Sequence, residues 1–368
     1  MIDVDKLFNL FKKIKIEFFC GVPDSILKNT NHYFSSLDKT KHMITHNEGG
    51  AVALAAGYHL STKKIPCVYL QNSGLGNAIN PLISIAHPKV YSIPLLLLIG
   101  WRGSPFVKAD EPQHNEKGKI TRKLLKLLGI KFIILRTTKN LYKIKNLLEF
   151  AQKKNKPVAI LLEKNTLSQI KPEKTKKKNK SGIKRDQFIL QLLKNIKKGT
   201  RIVSTTGYTS RELHQIRKKG NFRNGKDFYM VGGMGHSLMV SLGHALKDKN
   251  NVICLDGDGS ALMHLGSLRT AGIFKKRNLK HIVLNNFCHE SVGEQTTFSE
   301  NLKFGKVAKY LGYRSIAKID KVKNLTKNLN KFLNSNGPSL LEVITKTGTL
   351  KNLDRPKEFI KIKKKFMK

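Results

Sequence analysis

Two short stretches in the second half of the chain decide the fold: residues 252–260, VICLDGDGS, and residues 281–286, HIVLNN. Each begins as an apolar run of strand length and ends in polar residues, and a segment with helical spacing separates them. This order predicts two parallel strands joined by a helix, with both polar ends at one edge of the sheet. Ligands bind at that edge in open α/β sheets, so we expect a binding site there.

The polar residues at these strand ends suit a divalent cation bound to phosphate. The Asp258 carboxylate and the Asn286 amide oxygen are hard oxygen ligands, which Mg²⁺ prefers. Gly257 and Gly259 let backbone amides approach a phosphate at the start of the next helix, beside Ser260. An Asp-Gly pair alone is common in tight turns, so the spacing between the two polar clusters makes the prediction specific.

The same alternation of apolar runs and helix-period segments covers the whole chain and predicts an α/β protein with two doubly wound parallel sheets. We expect strands at residues 18–19, 43–45, 67–70, 94–99, 132–135 and 158–162 in the first half, and at 201–204, 228–231, 252–255, 281–284, 314–316 and 339–344 in the second. Residues 163–185 are polar and Lys-rich. They predict a solvated linker at 166–185 between domains 1–165 and 186–368.

Composition excludes several classes of protein. The 368 residues carry 69 basic and 25 acidic side chains, a formal net charge of +44. This charge favours contact with polyanions, but the lysines are spread over nearly every polar face, so we expect no specific nucleic-acid partner. The N-terminal amphipathic stretch has no signal-peptide core and the apolar run 93–99 is too short to cross a bilayer, so we expect no membrane anchor. The four scattered cysteines show no zinc-ligand spacing and fit a reduced, cytoplasmic protein.

The GDG and NN clusters together resemble the cofactor motif of the thiamine-diphosphate enzymes. The resemblance implies that the second half is the diphosphate-binding domain and that Asp258, Asn286 and the backbone carbonyl of Cys288 hold Mg²⁺. The first half is then the pyrimidine-binding domain. It contains a short predicted strand followed by residues 45–60, THNEGGAVALAAGYHL, in which Glu48 opens a small-residue helix.

The family gives specific roles to two further residues of this chain. A glutamate at the position of Glu48 binds the pyrimidine ring of the cofactor and starts removal of the thiazolium proton. A bulky apolar residue supports the bent cofactor, which implies Met234, next to Gly233 in GGMGHS, for that position. Taken alone, Glu48 could instead complement a helix dipole, and Met234 could be an ordinary core residue.

The linker joins the two cofactor-binding domains with no middle domain, which implies the phosphonopyruvate and sulfopyruvate decarboxylase group within the family. The segments DEPQH, TSREL and HESVG favour the phosphonopyruvate branch. The implied reaction is decarboxylation of 3-phosphonopyruvate to phosphonoacetaldehyde and CO2, in phosphonate biosynthesis of the 2-aminoethylphosphonate type. Phe287-Cys288 and Glu294 depart from the small residues of the family pattern, and these departures concern substrate fit rather than cofactor binding.

Polar loop residues near predicted strand ends are candidates for contact with the substrate. Hydroxyl groups and backbone amides suit phosphonate oxygens, and histidine can add charge or move a proton. The substrate-binding candidates are Ser25, Asn72, Ser73, His114 and Ser291, and the catalytic candidates beside Glu48 are His114 and His289. Each of these residues taken alone could instead complete a turn.

Because Glu48 and Asp258 lie on different domains, the family arrangement implies a site between subunits and a homodimer as the smallest active assembly. Two alternatives stay open: sulfopyruvate or another 2-oxo acid as the substrate, and a non-catalytic or nucleic-acid-binding protein on the same scaffold, which charge alone supports. A nicotinamide dehydrogenase is disfavoured, because neither GLGNA nor GGMGHS fits the GxGxxG turn with its following acidic residue.

Overall fold

The chain forms two compact α/β units, Met1–Lys176 and Lys177–Lys368. A computed structural model describes residues 1–169, 179 and 181–368. Each unit contains one six-stranded sheet in which every strand pairing is parallel. Buried apolar clusters lie against both faces of each sheet. The predicted fold class is therefore confirmed.

The sheet of unit 1 has the strand order β2-β1-β3-β4-β6-β5. Its strands are β1 (Phe19–Gly21), β2 (His42–Ile44), β3 (Cys67–Gln71), β4 (Leu96–Gly100), β5 (Lys131–Leu135) and β6 (Val158–Leu162). Its helices are α1 (Val4–Lys13), α2 (Asn31–Ser36), α3 (Glu48–Thr62), α4 (Leu75–Ser84), α5 (Pro112–Leu127) and α6 (Tyr142–Lys154). Alternate residues of β4 enter opposite clusters, because side chains of a strand alternate between the two faces.

Unit 2 repeats this topology with a different sequence. Its strands are β7 (Arg201–Ser204), β8 (Lys226–Tyr229), β9 (Val252–Gly257), β10 (Leu279–Asn285), β11 (Cys288–His289), β12 (Gln295–Thr296), β13 (Ser315–Ile319) and β14 (Ser339–Ile344). Its helices are α7 (Arg185–Asn195), α8 (Tyr208–Lys219), α9 (Ser237–Ala245), α10 (Asp258–Met263), α11 (Ser267–Phe274), α12 (Phe304–Tyr310), α13 (Leu325–Leu333) and α14 (Phe359–Met367). Its sheet has the order β13-β14-β10-β9-β7-β8. Read from the β8 end, and with β13 and β14 as the fifth and sixth strands, this is the strand order of unit 1. The pair β11 and β12 forms a separate antiparallel hairpin after β10.

This topology places the candidate site. In each sheet the first strand of the unit lies between the second and the third, so the winding reverses beside it. Ligands of doubly wound proteins bind at the carboxyl edge next to such a reversal. The GDG segment follows the third strand of unit 2, at that position.

All twelve predicted sheet strands are present and overlap their predicted ranges. The hairpin of β11 and β12 was not predicted, because two-residue strands are too short to show a period. No helix in the part of the chain that the structure describes is long and apolar enough to span a membrane.

The ends of the predicted linker differ from the expectation. Leu167 is buried and forms a β-bridge with Ile2, while Ile183 is buried and forms one with Thr345. Arg185, at the start of α7, is also buried. These residues are packed into their units rather than solvated. Leu167 and Ile183 belong to apolar clusters, and Arg185 forms an ion pair with Glu212. The centre of the predicted linker, residues 170–178 and 180, lies outside the described residues.

Candidate active site

Asp258 is a buried carboxylate at the carboxyl edge of the unit 2 sheet. It is the first residue of α10 and only 4% exposed. Its Oδ2 accepts hydrogen bonds from Thr297 Oγ1 over 2.6 Å and from Ser299 Oγ over 3.0 Å. No lysine or arginine among the described residues forms an ion pair with it. Burial therefore raises the pKa of this carboxyl to about 6, as expected of a buried carboxylate without a cation.

The two asparagines of the neighbouring strand lie beside Asp258. Asn285, the last residue of β10, accepts a hydrogen bond at Oδ1 from Ser299 Oγ over 2.9 Å, so Ser299 links both strand ends. Asn286 follows directly, and its Oδ1 accepts a hydrogen bond from the Cys288 backbone N–H over 3.2 Å. The sequence prediction that the GDG and NN clusters converge is supported by these contacts.

The chemistry of Asp258, Asn286 and Cys288 suits the binding of a divalent cation. The buried Asp258 has no lysine or arginine partner in the described part of the chain. Its carboxylate and the neutral Asn286 amide oxygen together match the preference of Mg²⁺ for oxygen ligands. Burial and the nearby carboxylates Glu290 and Asp258 raise the pKa of the Cys288 thiol to about 12. The thiol therefore stays protonated, and the donor that Cys288 can offer to such a cation is its backbone carbonyl.

Ser260 joins three segments around the predicted phosphate site. Its Oγ accepts a hydrogen bond from the Gly235 backbone N–H over 3.0 Å and one from Thr205 Oγ1 over 2.9 Å. Gly235 has a φ of 83°, a conformation that favours glycine. Met234 precedes it, half-buried and outside the apolar clusters. The alternative that Met234 is a core residue is therefore not supported.

His289 lies against the GDG segment. A Cβ atom added at Gly259 would come within 2.6 Å of His289 Cε1, so only glycine leaves room for the ring. Ser291 lies near Gly207 at the start of α8, where an added Cβ atom would be 3.3 Å from Ser291 Oγ. The hairpin thus brings the catalytic candidate His289 and the substrate-binding candidate Ser291 to the sheet edge that carries Asp258.

Glu48 is a second buried carboxylate, at the start of α3 in unit 1. It is 5% exposed, and its Oε2 accepts a hydrogen bond from Asn77 Nδ2 over 2.8 Å. Asn47 caps the helix by accepting hydrogen bonds from the backbone N–H groups of residues 49 and 50. The helix start is thus already capped, and Glu48 is buried and held by α4 rather than exposed as a simple dipole partner would be.

Comparison with known proteins agrees with this geometry. Models of two thiamine pyrophosphate enzyme domains match the chain, the N-terminal TPP binding domain over residues 4–122 and the C-terminal TPP binding domain over residues 205–343. The chain is also 35% identical to the phosphonopyruvate decarboxylase of Streptomyces viridochromogenes over 358 residues, 92% of this chain and 87% of that protein. The chain belongs to the thiamine pyrophosphate enzyme family. Its cofactor is accordingly thiamine diphosphate.

Two further relatives cover similar lengths. The phosphonopyruvate decarboxylase of Streptomyces hygroscopicus is 34% identical over 353 residues, 92% of this chain and 86% of that protein. The sulfopyruvate decarboxylase of Methanosarcina acetivorans is 26% identical over 367 residues, 94% of this chain and 91% of that protein. This thiamine pyrophosphate enzyme therefore resembles decarboxylases of both acids along most of its length, with higher identity to the first.

One of the predicted substrate-binding residues of unit 1, Ser73, belongs to a hydrogen-bonded chain that ends at Asp24. Ser73 Oγ donates to Gln71 Oε1 over 3.0 Å, and Gln71 Nε2 donates to Asp24 Oδ1 over 2.6 Å. Ser25 follows Asp24 directly and is partly exposed. Burial raises the pKa of Asp24 to about 6. The sequence analysis did not single out Asp24, although it follows the predicted strand 18–19 within a few residues, beside the candidate Ser25.

Asn72 has a structural role that the sequence did not indicate. It is 6% exposed, and its amide nitrogen donates to the Arg102 carbonyl over 3.0 Å and to Thr121 Oγ1 over 2.9 Å. Its Oδ1 accepts a hydrogen bond from the Arg102 N–H. Substrate binding by Asn72 is therefore not supported, because one of its donor hydrogens bonds the Arg102 carbonyl and the other bonds the Thr121 hydroxyl.

His114 is buried at the start of α5 near Arg102 and Asp110. Its burial and the Arg102 charge lower the pKa of the imidazole to about 4. The ring is thus neutral at pH 7, so the expectation that it adds positive charge is not supported in the free protein. A neutral imidazole still donates or accepts a hydrogen bond.

Gly74→Ala is expected to lower activity through Glu48. A methyl group at Gly74 would lie 2.2 Å from Glu48 Oε1, so the carboxylate must move. Displacement of a reacting group by about 1 Å can cost about 100-fold in rate. We expect kcat to fall by about one to two orders of magnitude with the thermal midpoint nearly unchanged. Gly76→Ala is the matched control, because nothing lies within 4 Å of a Cβ atom there. Equal activities of the two variants would contradict this role of Gly74.

Glu294→Gly is expected to stabilise unit 2. Glu294 and Phe287 have φ values of 63° and 66°, at two of the three positions where the resemblance implies small residues. Left-handed backbone costs a residue with a side chain roughly 1–2 kcal/mol. The substitution should raise the free energy of unfolding in urea by up to about 1 kcal/mol. Glu300→Gly, in the loop after the hairpin and without a left-handed φ, should lower it. A lower free energy of unfolding in both variants would show that the left-handed backbone at Glu294 is not strained.

Proposed function

We propose that this enzyme decarboxylates 3-phosphonopyruvate to phosphonoacetaldehyde and CO2, with thiamine diphosphate and Mg²⁺, in phosphonate biosynthesis. The observation that carries the proposal is the alignment of two phosphonopyruvate decarboxylases with 92% of this chain at 35% and 34% identity. The buried carboxylates Glu48 and Asp258 support it, because a chain that had lost catalysis would have no need to bury either group.

Glu48 is the proposed proton-handling residue. Bound thiamine diphosphate supplies the ring that stores the electrons released with CO2. The Glu48 carboxylate would hydrogen-bond a ring nitrogen of the cofactor pyrimidine and would hold a proton between the two groups. Asn77 keeps one carboxylate oxygen engaged over 2.8 Å, so the orientation of the group is fixed before the cofactor binds.

Asp258, the Asn286 amide oxygen and the Cys288 carbonyl are the proposed ligands of Mg²⁺. The cation would neutralise the buried Asp258 and bind the diphosphate oxygens. Thr297 and Ser299 hold one Asp258 oxygen over 2.6 Å and 3.0 Å, which orients the carboxylate. The backbone amides around Gly259 lie at a helix start and suit a phosphate.

Binding of the substrate is assigned to polar groups of both units. Ser25, Ser73 and Ser291 are partly or fully exposed hydroxyls that suit phosphonate oxygens. His289, which lies against Gly259, is the proposed group that exchanges a proton with the reacting molecule, and His114 is the second candidate. The net charge of +44 would speed the arrival of an anionic substrate.

The competing substrate is sulfopyruvate, because the relative from Methanosarcina acetivorans covers 94% of this chain. The test is kcat/KM for CO2 release from phosphonopyruvate, sulfopyruvate and pyruvate at saturating thiamine diphosphate and Mg²⁺. We expect the highest value with phosphonopyruvate, since a dianion gains more than a monoanion from the same donors. A higher value with sulfopyruvate would overturn the substrate and keep the reaction type.

We also propose that the active protein is a homo-oligomer in the cytoplasm, with the site between subunits. Helix α3 presents a face of small and apolar residues to the surface, at the helical spacing of a packing face. These exposed residues are Gly50, Ala53, Gly57 and Leu60. All four cysteines are free thiols, which fits a reducing compartment.

A further inference from the structure

A buried ion-pair network lies behind the Asn286 side chain. Arg185 is 6% exposed, and its guanidinium contacts two carboxylates. Its Nε donates to Glu212 Oε2 over 2.7 Å, and its Nη1 donates to Glu290 Oε2 over 2.8 Å. Glu212 is 1% exposed and also accepts a hydrogen bond from Thr349 Oγ1 over 2.8 Å. The network therefore fixes Glu290 from several segments of unit 2.

Glu290 in turn contacts Asn286. Its Oε2 accepts a hydrogen bond from Asn286 Nδ2 over 3.1 Å, and its Oε1 accepts one from the Gly348 backbone N–H. The Glu290 side chain is 8% exposed. Burial of a carboxylate is costly without a cationic partner, and Arg185 is that partner over 2.8 Å.

This contact decides which way the Asn286 amide faces. An ionised carboxylate only accepts hydrogen bonds, so the amide nitrogen must face Glu290 and the amide oxygen must face away from it. On that side Oδ1 accepts a hydrogen bond from the Cys288 N–H over 3.2 Å and keeps a second lone pair. An amide turned by half a rotation would present hydrogens there, and these would repel a cation.

We propose that Glu290 is a positioning residue that, held by Arg185, keeps the Asn286 amide oxygen turned toward the cation of the bound cofactor. This inference rests on the proposed Mg²⁺ and thiamine diphosphate site. Partners behind a metal ligand typically change metal affinity by about 10–100-fold. Glu290 therefore acts on cation affinity more than on turnover at saturating metal.

The test is Mn²⁺ binding to the full chain at saturating thiamine diphosphate, measured from the electron paramagnetic resonance signal of free Mn²⁺. Glu290→Ala is expected to weaken binding by about 10–100-fold. The matched control is Glu300→Ala, which removes the same charge from the loop after the hairpin and should bind Mn²⁺ nearly as the wild type does. If Glu290→Ala does not fold, Glu290→Gln, which keeps the side-chain size, replaces it. Unchanged Mn²⁺ affinity in a folded Glu290 variant overturns the proposal.

An exchange of the two side chains separates positioning from simple stabilisation. Asn286→Asp sets a carboxylate against Glu290, and Mn²⁺ binding should weaken because the two groups repel. In the double variant Asn286→Asp with Glu290→Gln, the new amide at position 290 donates to the new carboxylate at position 286. The hydrogen bond is restored with its two partners exchanged, and most of the Mn²⁺ affinity should return. If Glu290 only stabilised the fold, the Mn²⁺ affinities of these variants would simply follow their thermal midpoints, and that outcome would overturn the positioning role.

Failure of the proposed function would give a different pattern. The wild type would then bind Mn²⁺ with thiamine diphosphate but release no CO2 from phosphonopyruvate, while the Glu290 variants still bound Mn²⁺ more weakly. A wild type that binds no Mn²⁺ in the presence of the cofactor overturns both proposals.

Discussion

Glu48→Gln is expected to lower kcat for CO2 release by about two to four orders of magnitude, the usual contribution of a positioned acid or base. The amide keeps the size of the side chain and can still accept the hydrogen bond from Asn77 Nδ2. It cannot exchange a proton at neutral pH, so the reaction loses that step while the fold persists. The measurement is kcat at saturating thiamine diphosphate and Mg²⁺, together with the thermal midpoint.

Glu116→Gln is the matched control for this variant. Glu116 lies on α5, where its side chain is 71% exposed and pairs with Lys119. Glu116→Gln makes the same chemical change as Glu48→Gln in the same unit, but at an exposed side chain. The activity of this control should therefore stay near that of the wild type. Near-normal turnover by Glu48→Gln would contradict the proposed role of Glu48.

Asp258→Ala is expected to abolish metal-dependent binding of thiamine diphosphate. Asp258 is the only ionisable group in the proposed ligand set that is charged at neutral pH, so its loss removes the main attraction for Mg²⁺. The affinity for the cation should fall by more than the roughly 100-fold expected of residues behind a ligand. Calorimetric titration with thiamine diphosphate, with and without Mg²⁺, measures the effect.

The control for Asp258→Ala is Glu300→Ala. Glu300 is an exposed carboxylate of the loop after the hairpin, and it accepts a hydrogen bond from Thr296 Oγ1 over 3.0 Å. Its removal lowers the negative charge of this edge equally but leaves the proposed ligands intact. Binding of thiamine diphosphate by Asp258→Ala that still depended on Mg²⁺ would show that another group holds the cation.

Much of the fold could be predicted because the sheet strands are buried on both faces and read as continuous apolar runs. Strands β4 and β6 are buried at every residue, and both were predicted. The linker ends were predicted less well, because Leu167 and Ile183 are single apolar residues in a polar stretch. A pattern of composition does not show that one isolated residue pairs with a distant strand.

The convergence of the GDG and NN clusters could be predicted because strand order and strand ends fix it. The Glu290 network could not, since Arg185 and Glu290 are 105 residues apart and no local pattern links them. Asn72 is a different case: a polar residue at a strand end suggested a ligand, and the structure shows hydrogen bonds between its side chain and the Arg102 backbone that the sequence could not indicate. Long-range hydrogen bonds of this kind become visible only in three dimensions.

The most direct test of the account is the phosphorus NMR spectrum of 3-phosphonopyruvate incubated with the wild-type protein, thiamine diphosphate and Mg²⁺. We predict that the substrate signal is replaced by that of phosphonoacetaldehyde, with equal release of CO2, and that omission of either cofactor stops the conversion. An unchanged phosphonopyruvate signal in a protein that binds both cofactors would contradict the proposed reaction.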